Sequence, residues 1–223
     1  MSVSPNQARD LAVGSLLSDR ARQAARAVLM PVVRLAVRLG LTANTVTVIG
    51  FGVAVGGAGL VAAGELFIGA LVLTAGLLLD AVDGAVARAT GGTTAFGGFL
   101  DSTLDRAAEA TLYAGVMVHL LRTEPDPVPG VLLAAGGLSA SFLVSYTRAK
   151  AESLGVKASV GLAPRLERLI LMVAGIGLTG LGLSFGIMVA MAVVAGLAAL
   201  TTLQRIWHVR RQLGGRITRE TRA

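Results

Sequence analysis

The chain is expected to be an all-α integral membrane protein. Six transmembrane helices follow an N-terminal amphipathic interfacial helix, and both termini are cytoplasmic. Three observations predict this. Of 223 residues, 54% are hydrophobic and only 15% charged, against about 25% charged in ordinary soluble domains. Mean hydropathy is +0.73, and the apolar residues form runs close to the ~20 residues that a bilayer span needs. The basic residues then fall almost entirely on one side of the membrane that those runs define. A formal charge of +7 suits an anionic membrane surface. A nucleic-acid module would not carry several long uncharged stretches. There are no cysteines, which excludes disulfides, thiolate metal sites and cysteine nucleophiles. His119 and His208 lie far apart in sequence, against a histidine metal site.

The elements follow in order along what is expected to be a single domain, residues 1–223. Residues 1–40 read as an amphipathic segment. Leu17, Ala21, Ala24 and Val28 share one helical face, and Arg22 and Arg26 another. This pattern fits a helix lying in the interface, ended or bent by Pro31. The spread arginines and the lack of a compact apolar core argue against a signal peptide. The six-helix core is expected over 41–208. Asn44–Gly64 has no charge, and Leu66–Leu79 is apolar and runs into Asp80. Phe99–Leu121 is acidic in its first half, and Val128–Thr147 is uncharged. No charge occurs between Arg168 and Arg205, a stretch of 36 residues that fits two spans turning at Gly180-Leu181-Gly182. Residues 209–223 read as a basic tail. Of the 20 lysines and arginines, only Arg122 falls on the far side of this layout. Excess basic charge marks cytoplasmic segments.

Five acids, Asp80, Asp83, Asp101, Asp105 and Glu109, lie at membrane depth or its edge. Each costs roughly 2.5–3.5 kcal/mol there on insertion scales, so such residues usually serve function. Asp80, Asp83, Gly84, Ala87 and Arg88 share one helical face, as do Gly97, Asp101 and Asp105. A short Gly-Gly-Thr-Thr turn joins the two spans, which are expected to be antiparallel neighbours with converging acidic faces. Such carboxylates repel one another, so a cation neutralises them or some stay protonated. Oxygen-only ligands suit magnesium, manganese or calcium, and two bridged metals would clamp a diphosphate. Gly84, Gly91, Gly92 and Gly97 allow close backbone approach by a ligand. Glu109 is expected to be a buried carboxylate paired with a neighbouring helix.

The run Asp80-x2-Asp83-Gly84-x2-Ala87-Arg88-x8-Gly97-x3-Asp101-x3-Asp105 resembles the signature of the CDP-alcohol phosphotransferase family at every fixed position. The resemblance implies displacement of CMP from a CDP-linked lipid such as CDP-diacylglycerol by an alcohol. It implies that Asp80, Asp83, Asp101 and Asp105 ligate metal, that Asp105 is also the general base, and that Gly84, Arg88 and Thr94 contact the nucleotide. Leu41-Thr42-Ala43-Asn44-Thr45-Val46-Thr47 is similar to the family stretch that holds the cytidine, which adds Asn44 and Thr47; Ala43 stands where proline is usual. The implied cofactor is Mg2+, with Mn2+ possible, as two ions. The implied setting is a homodimer in the cell membrane, its active site facing the cytoplasm, with membrane lipids and no nucleic acid as partners. Direct in-line attack is expected, because no histidine or cysteine stands within the motif as a candidate nucleophile.

Arg148, Lys150, Arg165 and Arg168 gather at the expected cytoplasmic mouth, where the positive-inside rule alone would also place basic residues. Arg165 and Arg168 stand at i, i+3, and a pocket for a phosphorylated acceptor accounts for the group better. The segments Ser145–Glu152 and Arg165–Ile170 resemble the phosphatidylinositol-phosphate synthase branch, whose acceptor is inositol 1-phosphate; Lys150 stands where arginine is more usual. Glycerol 3-phosphate is the alternative acceptor. A cation transporter using the intramembrane carboxylates is the competing class, but no duplicated halves are evident. A structural scaffold would leave four aspartates in register unexplained.

Overall fold

The structure, a computed structural model, describes residues 30–220 apart from Thr93 and Ser159. The interfacial helix expected around Leu17–Val28 lies outside the described residues. Residues 30–38 are helical and include Pro31. Six longer helices follow: α1 Ala43–Ala63, α2 Leu66–Thr90, α3 Ala95–Thr123, α4 Val128–Ser153, α5 Arg165–Gly180 and α6 Gly186–Glu220. Their starts match the expected apolar runs within a few residues, while α2, α4 and α6 continue past the expected ends into charged sequence. The expected basic tail is helical through Glu220, continuous with the last apolar segment.

Local chemistry sets the boundaries nearest the acidic residues. Thr42 and Thr94 are N-caps: their hydroxyls accept from the backbone N–H of Thr45 at 3.2 Å and of Gly97 at 2.9 Å, which satisfies donors that a helix start leaves unpaired. Gly91 closes α2 at φ +64, a conformation that glycine adopts without steric cost. Between α5 and α6 the turn falls at residues 181–185, as expected from the Gly180–Gly182 cluster.

Four helices, α1, α2, α4 and α6, are long and apolar enough to cross a membrane. The other two differ for physical reasons. α3 carries Asp101, Asp105, Arg106 and Glu109 within its first half. α5 has 16 residues, which is only ~24 Å at 1.5 Å per residue, short of the ~30 Å hydrocarbon layer. Large apolar side chains such as Val48, Ile68, Leu71, Leu132, Leu143 and Leu203 face outward. In water such a surface is a liability; in lipid it is ordinary.

The main core lies at the end of the bundle away from the acidic residues. It joins Val61 of α1, Leu73 of α2, Tyr113 and Val116 of α3, Ala134 of α4, Met172 and Ile176 of α5 and Met191 of α6. α1 packs on both α2 and α3, α2 also on α5, α4 on α3 and α6, and α5 on α6. One expectation is corrected here. α2 and α3 were expected to be close antiparallel neighbours, yet each packs chiefly on α1 rather than on the other. The gap between them is occupied by carboxylate side chains and a cavity.

The α1–α3 contact depends on Gly115, where a Cβ would stand 2.5 Å from the carbonyl oxygen of Ala58. Overpacking of this kind costs about 1–3 kcal/mol. Gly115→Ala is therefore expected to lower the thermal unfolding temperature in detergent. An unchanged temperature would refute the tight α1–α3 approach.

Candidate active site

Three carboxylates meet at the site end of α2 and α3. Ligand oxygens of Asp80, Asp101 and Asp105 lie within 4.8 Å of one another. Asp80 comes from α2, and Asp101 and Asp105 stand one turn apart on α3. The donors are all oxygen, and their separation fits a hard divalent cation. Asp83 is buried and turned onto α1: its Oδ2 accepts from the Thr47 hydroxyl at 2.7 Å. Asp83 and Thr47 were both expected at the site, and the structure brings them together with each other, beside the three-acid cluster.

The other sequence-named groups sit around the same end. Gly97 faces Asn44 and Thr94; a Cβ on it would stand 3.0 Å from both Asn44 Oδ1 and Thr94 Oγ1. The starts of α1 and α3 are therefore in contact there. Gly84 has the Arg88 guanidinium over it, 3.4 Å from where a Cβ would be. Arg88 and Thr94 are exposed.

A cluster of carboxylates needs positive charge, and part of it comes from the chain itself. Arg165, the first residue of α5, places Nη1 2.8 Å from Asp105 Oδ1 and 3.4 Å from Asp80 Oδ2. Its Nη2 donates to the Asp105 carbonyl at 3.1 Å. The sequence reading placed Arg165 only among the acceptor-side residues. Its partners lie 60 and 85 residues away, with no local signal to announce them.

Beyond Arg165 lies an open cavity of about 380 Å³, lined by Arg106, Arg148, Arg165, Arg168 and Arg205 together with Asp105 and Glu152. That volume falls in the ~300–1,000 Å³ range of small-molecule sites. Of the four basic residues expected to gather, three line this cavity; Lys150 does not. Two places along a helix from Arg148 is about 200° around the axis, so Lys150 points elsewhere. Arg106 and Arg205 were noted only as sidedness markers. Arg205 interrupts the apolar end of α6, and that was the signal available.

A strap, residues 154–164 apart from Ser159, is tied to two of the arginines that line the cavity and ends in Pro164, which lines it too. Arg205 donates to the Val160 carbonyl at 2.9 Å and to the Val144 carbonyl. Thr201 accepts from Ala163 N at 3.3 Å, and Arg168 Nη1 donates to the Ala163 carbonyl at 2.9 Å. Gly161 sits at φ +141 directly against Thr201, a position open only to glycine. Below the cavity, Arg168 is 1% exposed and faces Glu109, also 1% exposed, with Nη2 3.5 Å from Oε1. Arg168 Nε donates to the Ser141 hydroxyl at 3.1 Å. The expected pairing of Glu109 with a neighbouring helix is thus observed. A second, mainly apolar cavity reaches from Asp80, Asp83 and Asp105 toward Phe51, Leu73, Leu112 and Val173.

An acidic cluster suited to a cation, an adjoining apolar cavity and helices long and apolar enough to cross a membrane fit a membrane enzyme that acts on a lipid-linked anion. The CDP-alcohol phosphatidyltransferase family model matches residues 40–209, and the chain belongs to that family. It is a transferase. Among similar proteins is the archaetidylinositol phosphate synthase of Methanothermobacter thermautotrophicus, 39% identical over 189 residues, covering 82% of this chain and 93% of that one. The phosphatidylinositol phosphate synthase of Corynebacterium glutamicum is 36% identical, covering 86% and 88%. The crystal structure of Mycobacterium tuberculosis phosphatidylinositol phosphate synthase (PgsA1) with CDP-DAG bound is similar with TM-score 0.76 at 34% identity, covering 82% and 93%. The same protein in complex with manganese and citrate gives 0.75.

Proposed function

We propose that this protein transfers the phosphatidyl group of CDP-diacylglycerol to inositol 1-phosphate, releasing CMP and forming phosphatidylinositol phosphate. The observation that carries this reading is the basic cavity, lined by five arginines, one each from α3, α4 and α6 and two from α5, and adjoining the carboxylate cluster through Asp105. Serine and unphosphorylated inositol have no use for so much positive charge. The relatives named phosphatidylinositol phosphate synthase support the same acceptor.

Asp80, Asp101 and Asp105, with Asp83 beside them, would hold divalent cations, Mg2+ first and Mn2+ as alternative, as a pair. Bound there, such ions offset the charge of a diphosphate and of the departing CMP. The PgsA1 structure with manganese supports a divalent metal. The chain's own residues do the rest. Arg88, lying over Gly84, Asn44 and Thr94 bind and orient the nucleotide. Thr47 fixes the Asp83 carboxylate. The apolar cavity takes acyl-chain carbons. Arg148, Arg165 and Arg168 hold the acceptor phosphate, and Arg205 joins them, since forked guanidinium donors match phosphate oxygens. Asp105 lines both cavities and accepts the acceptor hydroxyl proton on a carboxylate oxygen. We further place all six helices in the membrane, α3 and α5 held there by the other four. Both termini and the site are then on the cytoplasmic side of the cell membrane, and the working form is a homodimer.

The test is an acceptor panel. Purified protein with CDP-diacylglycerol and Mg2+ is expected to release CMP with inositol 1-phosphate at lower concentrations than with glycerol 3-phosphate, inositol or serine. Excess chelator is expected to stop it. Equal use of inositol and its phosphate would overturn the acceptor reading, and full activity in chelator would overturn the metal reading.

A further inference from the structure

Arg165 stands where the two halves of the site meet, and it lines both cavities. Its Nη1 contacts Asp105 at 2.8 Å and Asp80 at 3.4 Å, two of the three carboxylates suited to a cation. Its Nε is buried and has no hydrogen-bond partner among the described residues. A guanidinium and a divalent cation are thus alternative partners for the same oxygens. On its other side, Arg165 shares a cavity with Arg106, Arg148, Arg168 and Arg205, whose acidic lining is Asp105 and Glu152, with Glu109 paired to Arg168 behind it. Glu152 is already paired with Arg148 at 2.9 Å. Moving Arg165 further among these arginines costs repulsion unless an anion is present to share.

We propose that Arg165 is a shared counter-ion that makes cation binding and acceptor-phosphate binding mutually reinforcing. The cation displaces Arg165 from Asp80 and Asp105, which offers a further guanidinium to a phosphate. A phosphate in the basic cavity draws Arg165 off the carboxylates and so opens them to the cation. The coupling is reciprocal by thermodynamic necessity. Asp105 is released from its own ion pair by the same movement. This rests on the reading above that the acids bind a divalent cation and the arginines a phosphate.

The test uses the full-length protein in lipid nanodiscs, with no turnover. Mn2+ binding is measured by the electron paramagnetic resonance of free Mn2+, with and without inorganic phosphate, corrected for Mn2+ held by phosphate in protein-free buffer. In the wild type, phosphate is expected to tighten Mn2+ binding about fivefold or more. Arg165→Ala is expected to bind Mn2+ more tightly than wild type without phosphate and to gain little when phosphate is added. Arg148→Ala is expected to keep wild-type Mn2+ affinity without phosphate and to need more phosphate for the same gain. Arg165→Lys keeps the charge but loses the Nη2 hydrogen bond that holds the group over Asp105, and it too is expected to bind Mn2+ more tightly. It serves if the alanine variant does not fold. Equal or weaker Mn2+ binding in the Arg165 variants, or an undiminished phosphate effect in Arg165→Ala, overturns the proposal. Absence of Mn2+ binding in the wild type, or binding that Asp101→Asn leaves unchanged, overturns the metal-site reading instead.

Discussion

Asp105→Asn is expected to reduce turnover by about 10²–10⁴-fold, the usual contribution of a general base, with little change in the fold. The amide nearly matches the carboxylate in shape. Its oxygen can still accept from Arg165, which now contacts Asp105 at 2.8 Å, and the backbone carbonyl that takes Nη2 is untouched. What is lost is the capacity to take a proton, together with part of the affinity for a cation. Measuring CDP-lipid binding at saturating Mg2+ separates the two. Near-normal binding with turnover lost identifies the base, and a parallel loss of binding identifies a metal ligand only. Near-normal turnover would show that another group takes the proton.

Arg168→Ala is expected to act on both stability and substrate binding. Arg168 and Glu109 are each 1% exposed, so removing the arginine strands a buried carboxylate. Breaking a buried pair from one side costs about 3–5 kcal/mol. The loss also frees the Ser141 hydroxyl and the Ala163 carbonyl of the strap. Arg148→Ala provides the contrast. Its pair with Glu152 is more than half exposed, and exposed pairs contribute about 1 kcal/mol at most. Both variants are expected to raise KM for the phosphorylated acceptor more than KM for the CDP-lipid. Only Arg168→Ala should also lower the unfolding temperature by many degrees, as read by thermal denaturation in detergent. Equal shifts in both KM values would remove these arginines from the acceptor cavity.

What could be read from the sequence was whatever is written at short range. Asp80 and Asp83, and Asp101 and Asp105, declare their shared faces through helical spacing. The Gly-Gly-Thr-Thr run marks the turn between the acidic helices, and uncharged runs mark the others. Of the six expected spans, two are not long and apolar enough by themselves to cross a membrane: α3 carries acids in its first half, and α5 has only 16 residues. Contacts across the bundle were not legible. Nothing near Arg165 says that it will lie on Asp105, and nothing near Arg205 says that it will reach the carbonyls of Val144 and Val160. Lys150 was misplaced because a cluster in sequence need not be a cluster on one side of a helix.

The strap gives the molecule a history as well as a shape. Val144 and Val160 are 61 and 45 residues upstream of the arginine that secures them. Ala163 waits 38 residues for Thr201. Chains are made and fold from the N-terminus, so the carboxylates of α2 and α3 exist together long before α6 has been synthesised. The acidic half of the site is an early product of biosynthesis, and the basic half is a later one, closed only when α6 arrives. A chain that stalls or is cut before Thr201 carries every aspartate yet lacks Arg205 and so has no finished basic cavity.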